Sequence, residues 1–357
     1  MTIIAPDVST RLKPDFVAVV HTLYTEFCNL QRDARVLVLA DARTPDYVVS
    51  TFTGVAQAMG ADAVSIEFKV PFGGPTYQPS VKWSPLLEGA ARDADLLVDL
   101  GVGYARFVTE AIDRGARVIM PGDGIGNPYL DDILIRTVRD VDIHHIRREA
   151  DRIAERFSRA KTCRMLTGDD SELIVDIDGI PGVSADGFLW DKDKGAFRSN
   201  YGILPPAQPG VVLPRGRATG TVTVDGTVLW HPIYHEQPRT PLKLRFDDGR
   251  LVDISGDKYL SNRIRNWLKE MDAGASEGPN HLNVGINPGA LLTQNQEWER
   301  VYGSVTCGMG DMSVAADLIT RGTKMEWAKS KVHWDWTVLQ PTILLDDEVL
   351  VKDGQVF

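Results

Sequence analysis

The chain has 357 residues, a length that favours two domains over one. With 43% hydrophobic and 25% charged residues it can bury a large core, which excludes global disorder. A formal charge of −10, with no run of lysine and arginine, argues against a duplex-binding surface and against a membrane-surface patch.

The opening residues, MTIIAPDVSTRLKPDF, lack a basic segment followed by an apolar one, so no secretory signal is expected. No apolar stretch approaches the roughly 20 residues that a membrane-spanning helix needs. Cys28, Cys163 and Cys307 are few, odd in number and widely spaced, which suits a reducing compartment and a cytoplasmic protein.

Along the chain, an amphipathic helix carrying His21 comes first. RVLVLAD at 35–41 is a compact apolar run that reads as a buried strand, and 46–59 follows with helical spacing. A strand at 63–68, a helix at 84–93, a strand at 95–100, a helix at 105–114 and a strand at 117–120 continue the alternation. This order predicts a Rossmann-like α/β domain over 1–160, with a parallel sheet covered by helices. Residues 129–160 read as one or two helices that leave the sheet and close that domain. From 161 to 357 the pattern changes. Strand-like segments at 173–178 and 219–230, a hairpin over 241–254 turning at Asp247-Asp248-Gly249, a helical interlude at 258–271 and an extended tail at 331–357 predict an α+β domain with a mainly antiparallel sheet.

Several constellations could carry chemistry. Gly122-Asp123-Gly124-Ile125-Gly126 resembles a dinucleotide loop but follows the fourth strand, not the first, and reads as a structural loop. His144 and His145 are adjacent on a charged helix, where neighbours in sequence do not face one another, so they read as solvated. His231 and His235 flank Pro232 and Tyr234 in a loop that could enter a pocket or stay on the surface. The sharpest feature is Val332-His333-Trp334-Asp335-Trp336. In a strand, side chains two apart share a face, so His333 and Asp335 converge while the tryptophans take the other side. Taken alone, a surface strand explains it as well. His281 lies in Pro279-Asn280-His281-Leu282-Asn283-Val284-Gly285-Ile286-Asn287-Pro288, a half-apolar segment in which a histidine is buried and needs a partner. Either it bonds to backbone or it completes a metal set of two histidines and one carboxylate. Such a set with open positions suits non-haem Fe(II) oxygenases, and zinc hydrolases use similar ligands.

The segments HLNVGINPGA, VYGSVTCGMGD, HWDW and LLDDEVLVKDG resemble the aminopeptidase T-type metallopeptidase fold, and more narrowly its 2,5-dihydroxypyridine 5,6-dioxygenase offshoot. The domain order matches over nearly the whole chain, and the specific motifs lie in about its last 80 residues. Against the peptidase pattern, a metal-binding glutamate falls on His281. A histidine falls on or beside Thr306. A further glutamate expected near Gly220–Trp230 finds only Asp225, while the final His-x-Asp is kept as His333 and Asp335. The two-metal clamp of hydrolysis is thus lost, and a one-ion site remains. The dioxygenase resemblance implies Fe(II), with Zn or Mn as alternatives, held by His281, His333 and Asp335. It implies a small aromatic or N-heterocyclic substrate opened with O₂, no nucleic-acid or membrane partner, and a homo-oligomer, which eight tryptophans also suggest. The dioxygenases place histidines near the ring. Here the loop after the third strand offers Tyr104, and 196–203 offers Asn200 and Tyr201 but no histidine. That leaves Tyr104, His231 and His235 as candidates for the base. A metal-dependent hydrolase, an aminopeptidase or amidase, is the alternative activity.

Overall fold

The computed structural model describes residues 13–69, 82–103, 105–168, 170–231, 234–293, 297–319 and 325–357. In chain order, the first half runs α1 (Pro14–Thr22), β1 (Arg35–Asp41), α2 (Asp46–Ala58), β2 (Asp62–Phe68), α3 (Pro85–Arg92), β3 (Leu96–Leu100), α4 (Arg106–Asp113), β4 (Arg117–Pro121), α5 (Leu130–Leu134) and α6 (Ile143–Arg159). Strands then dominate: β5 (Thr162–Thr167), β6 (Ser171–Asp176), β7 (Gly182–Val183), β8 (Trp190–Asp191), β9 (Ala196–Phe197), β10 (Tyr201–Leu204), β11 (Gly210–Val212), β12 (Ala218–Val224), β13 (Val228–His231), β14 (Tyr234–Glu236), β15 (Leu242–Asp247) and β16 (Arg250–Ser255). After α7 (Lys258–Glu270) come β17 (His281–Val284), β18 (Val305–Gly310), α8 (Ser313–Ile319), β19 (His333–Val338), β20 (Thr342–Leu345), β21 (Glu348–Lys352) and β22 (Gln355–Val356).

The first unit holds the described residues within Met1–Thr76, Val81–Asp142 and Gly187–Pro205. Its sheet has the order β10-β4-β3-β1-β2, and every pairing is parallel. Six of the seven β1 residues are buried, as a strand covered on both faces requires. Helix α4 buries Phe107, Val108, Ala111 and Ile112 on one stripe. The Gly122–Gly126 loop is spent on close packing. A Cβ at Gly126 would lie 1.9 Å from Asp41 Oδ1, so the glycine rests directly on that carboxylate.

The second unit holds the described residues within Ile143–Asp186 and Pro206–Phe357. It contains two antiparallel sheets, ordered β14-β13-β19-β18-β17-β11-β7 and β16-β15-β12-β6-β5-β20-β21-β22. They pack face to face, with Phe246 of β15 against Trp336 of β19 at 6.1 Å. The hairpin turns at Asp248 and Gly249, whose φ values of 45° and 69° are both positive, as the tight two-residue turn demands.

The grouping of segments departs from a cut at 160 in two places. Amphipathic α6 packs on β7 and β11 and so belongs with the second unit, because its buried stripe of Ile143, Ile146, Ala150, Ile153 and Phe157 needs that sheet. Residues 187–205 return to the first unit, where β10 pairs with β4, Tyr201 opposite Val118. This addition covers an otherwise open strand edge.

Candidate metal centre

Three neighbouring strands of the seven-stranded sheet build the centre. His281 opens β17, His333 and Asp335 sit two apart on β19, and β18 runs between them. The register pairs His281 with Gly308 and Gly308 with Asp335, so the three form one row whose members share a face. His333 stands in the next row, opposite Gly310. Adjacent strands lie about 4.8 Å apart, so His281 and Asp335 start from backbones roughly 10 Å apart. They can meet only if the position between them carries no side chain. A Cβ at Gly308 would lie 2.3 Å from His281 Nε2, 2.4 Å from its Cδ2 and 2.5 Å from Asn280 Oδ1.

His281 Nε2 therefore stands 3.0 Å from Asp335 Oδ1, and His333 Nε2 stands 3.1 Å from the same oxygen. The two imidazoles are 5.6 Å apart and nearly parallel. All three candidate ligand atoms lie within 4.8 Å of one another, and His281 and Asp335 are each only 4% exposed. Two ligands placed about 2.1 Å from a shared ion at right angles would be about 3 Å apart, so this spacing suits one ion.

Charge within the centre is settled by competition between burial and pairing. Burial pushes the Asp335 carboxyl up, but His333 and the hydrogen bonds from both imidazoles outweigh it and hold it well below the usual carboxylate range. Burial pushes His333 down, yet Asp335 and Asp311 reverse this and leave it raised. For His281 burial wins over the pull of Asp335, and its value is lowered. Without an ion, pairing thus favours the ionised form of Asp335 and the charged form of His333, while burial favours the neutral form of His281. An ion bound through His333 Nε2 competes with a proton for that atom.

The rest of the face is polar. Asn283, Thr306 and Thr337 form the following row, and the Thr306 and Thr337 hydroxyls lie 2.9 Å apart. Asp225, the acid nearest the expected peptidase glutamate, accepts from the Leu339 backbone at 2.9 Å. On the opposite face of β19 the tryptophans enter the core, where Trp334 Nε1 donates to the Ala275 carbonyl at 2.8 Å.

The remaining candidates are distributed differently. His235 on β14 is paired with Leu229, and Leu229 with Asp335, so His235 belongs to the same row as the ligand set, two strands beyond Asp335. Its Nε2 is buried and meets no hydrogen-bond partner among the described residues, and its ring stands edge-on to Trp298. Burial lowers its pKa, against an opposing pull from Asp335. It lines a cavity of about 460 Å³ with Glu236, Arg239, Tyr259 and Thr293, which none of the three candidate ligands lines. The backbone of His231 ends β13 opposite Tyr234. Tyr104 lies outside the described residues. Tyr201 is used in the parallel sheet of the first unit. His144 and His145 are exposed on α6.

Sequence reasoning assigned nothing to Gly308 or Asn280. The signal for Gly308 was the Gly308-Met309-Gly310 spacing within a buried strand, since glycine inside a strand marks close approach by another group.

A family model described as 2,5-dihydroxypyridine 5,6-dioxygenase matches residues 17–357. No curated protein matches the chain. Among solved structures, the chain is similar to 2,5-dihydroxypyridine dioxygenase from Pseudomonas putida KT2440, with a TM-score of 0.75 and 17% identity over 99% of this chain and 98% of that one. It is also similar to AmpT from Thermus thermophilus, with a TM-score of 0.64 and 15% identity over 97% of this chain and 100% of that one. At these identities the two structures speak for the fold. The family match spans nearly the whole sequence, and the chain belongs to the 2,5-dihydroxypyridine 5,6-dioxygenase family of ring-cleaving oxidoreductases.

Proposed function

We propose that the chain is a mononuclear Fe(II) enzyme that opens a hydroxylated N-heteroaromatic ring of the 2,5-dihydroxypyridine type with O₂, and that His281, His333 and Asp335 hold the ion. The observation that carries this reading is the convergence of both Nε2 atoms on one Asp335 oxygen, at 3.0 and 3.1 Å, over the gap left by Gly308. Two imidazoles and one carboxylate are the donor set of non-haem iron sites that keep positions open. The bound ion would supply a common site for ring and O₂ and a path for electrons between them.

The chain's own residues supply the rest. One anionic oxygen and two neutral imidazoles leave a net positive charge on a divalent site, which favours an anionic ring oxygen beside it. Burial of the row excludes water and strengthens that attraction. His235 is the residue we assign as base. Its lowered pKa keeps the imidazole neutral near pH 7, so its buried Nε2 can accept a proton from a ring hydroxyl, which makes the ring a better electron donor. His235→Phe should lower ring-opening activity by about 10²-fold or more without altering iron content.

The test is metal analysis of anaerobically purified protein, followed by oxygen uptake with a panel of hydroxypyridines. One iron per chain with stoichiometric oxygen uptake supports the proposal. Amide or peptide hydrolysis that needs no O₂ would replace it with the metal-hydrolase reading.

A further inference from the structure

Asn280 precedes His281 and is 4% exposed. Its amide is oriented through Nδ2, which donates to the Gly310 carbonyl at 2.8 Å and stands 3.4 Å from His333 Nδ1. A reversed amide would set Oδ1 against that carbonyl oxygen, so the assignment of the two ends follows from the bond. The other end, Oδ1, is buried and has no hydrogen-bond partner among the described residues. It is also aimed at the centre. The point where a Gly308 Cβ would stand is 2.5 Å from Asn280 Oδ1 and 2.3 Å from His281 Nε2, so the amide oxygen and a candidate ligand atom border the same gap. A buried carbonyl oxygen loses its water on folding, and native proteins rarely leave one unsatisfied. An acceptor held beside the ligand atoms calls for a donor that arrives with the substrate.

We infer that Asn280 is a substrate-binding residue of this centre, its Oδ1 accepting a hydrogen bond from a hydroxyl group of the bound ring. This rests on the proposed function and adds a selectivity to it. A site built around an acceptor for a hydroxyl discriminates against the analogue that lacks the hydrogen, because the acceptor is then left buried and unpaired. The amide's anchor to Gly310 holds the oxygen in place before the ring arrives, so little orientation is lost on binding.

The experiment uses the full chain loaded anaerobically with Mn(II), and calorimetric binding of 2,5-dihydroxypyridine and of its O-methyl ethers. The parent is compared with Asn280→Leu, and with Asn280→Ala, which needs no new space. Mn(II) affinity should fall by no more than about tenfold in either variant, through loss of the long contact to His333 Nδ1, so ring binding is measured at saturating Mn(II). Affinity for the dihydroxy ring should fall about tenfold or more, while affinity for the ether methylated at the oxygen that meets Asn280 should hardly change. The preference for hydroxyl over ether should therefore shrink by about tenfold. An unchanged preference would overturn the assignment. So would a fall in Mn(II) affinity of more than about 100-fold, beyond what loss of an outer partner gives, which would make Asn280 a metal ligand instead. A parent that binds Mn(II) but no hydroxypyridine would strike at the proposed function itself, and this inference would go with it.

Discussion

Replacing Gly308 by alanine would put a methyl group into the gap that lets His281 and Asp335 meet. The added Cβ would stand 2.3 Å from His281 Nε2 and 2.5 Å from Asn280 Oδ1, against an ordinary contact of about 3.5 Å or more between such atoms. The His281 ring must therefore retreat by roughly 1 Å. Metal–ligand distances tolerate about 0.2 Å, so one of three ligands leaves the set. Loss of an outer partner alone typically costs 10–100-fold in metal affinity, and loss of a ligand costs more. We expect at least a 100-fold fall, about 2.7 kcal/mol. Overpacking should also cost about 1–3 kcal/mol of folding stability. The matched control is Gly54→Ala in α2, where nothing lies within 4 Å of the new Cβ. That change should leave metal binding alone and raise helix stability by about 1 kcal/mol. Equilibrium dialysis against Fe(II) or Mn(II), with urea unfolding alongside, reads both quantities. Gly308→Ala retaining metal within threefold of the parent would refute the account of how the centre is assembled.

Asp335→Ala should abolish iron binding and ring opening, while Asp347→Ala, which removes an exposed carboxylate, should leave iron unchanged and stability within about ±0.5 kcal/mol; iron content of both proteins checks this. Asp99 gives a pH dependence of stability. It is fully buried and its carboxyl is pushed up to about 7 by burial, against hydrogen bonds from the Gly101 and Val102 N–H groups. A folded pKa above the unfolded one means that this contribution is complete below about pH 4 and is lost as pH rises through 7, by about 4 kcal/mol in all. Urea unfolding at pH 5 and pH 8.5 should show about 3 kcal/mol of that fall in the parent, the part that lies between pH 5 and 7, and much less of it in Asp99→Asn; parallel curves would contradict it. Trp230, Trp267, Trp298, Trp334 and Trp336 are all buried within the chain itself, so self-association would have to use other residues. Light scattering should still find an oligomer at micromolar concentration, and a monomer of 39.4 kDa would end that expectation.

Local signals made most elements legible before any coordinates. The β1 run is apolar throughout because both its faces are covered. The Asp248-Gly249 turn announces itself through residues that accept positive φ. The period of two placed His333 with Asp335 and both tryptophans opposite, and the strand has that arrangement. Pairing between distant segments was not legible. Tyr201 joins Val118 across a long intervening stretch, and two-residue strands such as β7 and β8 are too short for periodicity to mark. The same limit applied within the centre. That His281 shares a row with Asp335 depends on β18 lying between them in one register, and a shift by a single residue would have turned Gly308 to the other face. Asn280 escaped notice because its meaning lies in an unsatisfied oxygen, which no spacing reveals.

The most direct test of the central claim is paired measurement of iron and oxygen uptake on the same anaerobically purified protein with 2,5-dihydroxypyridine as substrate. The account predicts one iron per chain, one O₂ consumed per ring opened, and loss of both in Asp335→Ala. Full iron occupancy in Asp335→Ala, or ring opening by protein stripped of metal, would contradict it.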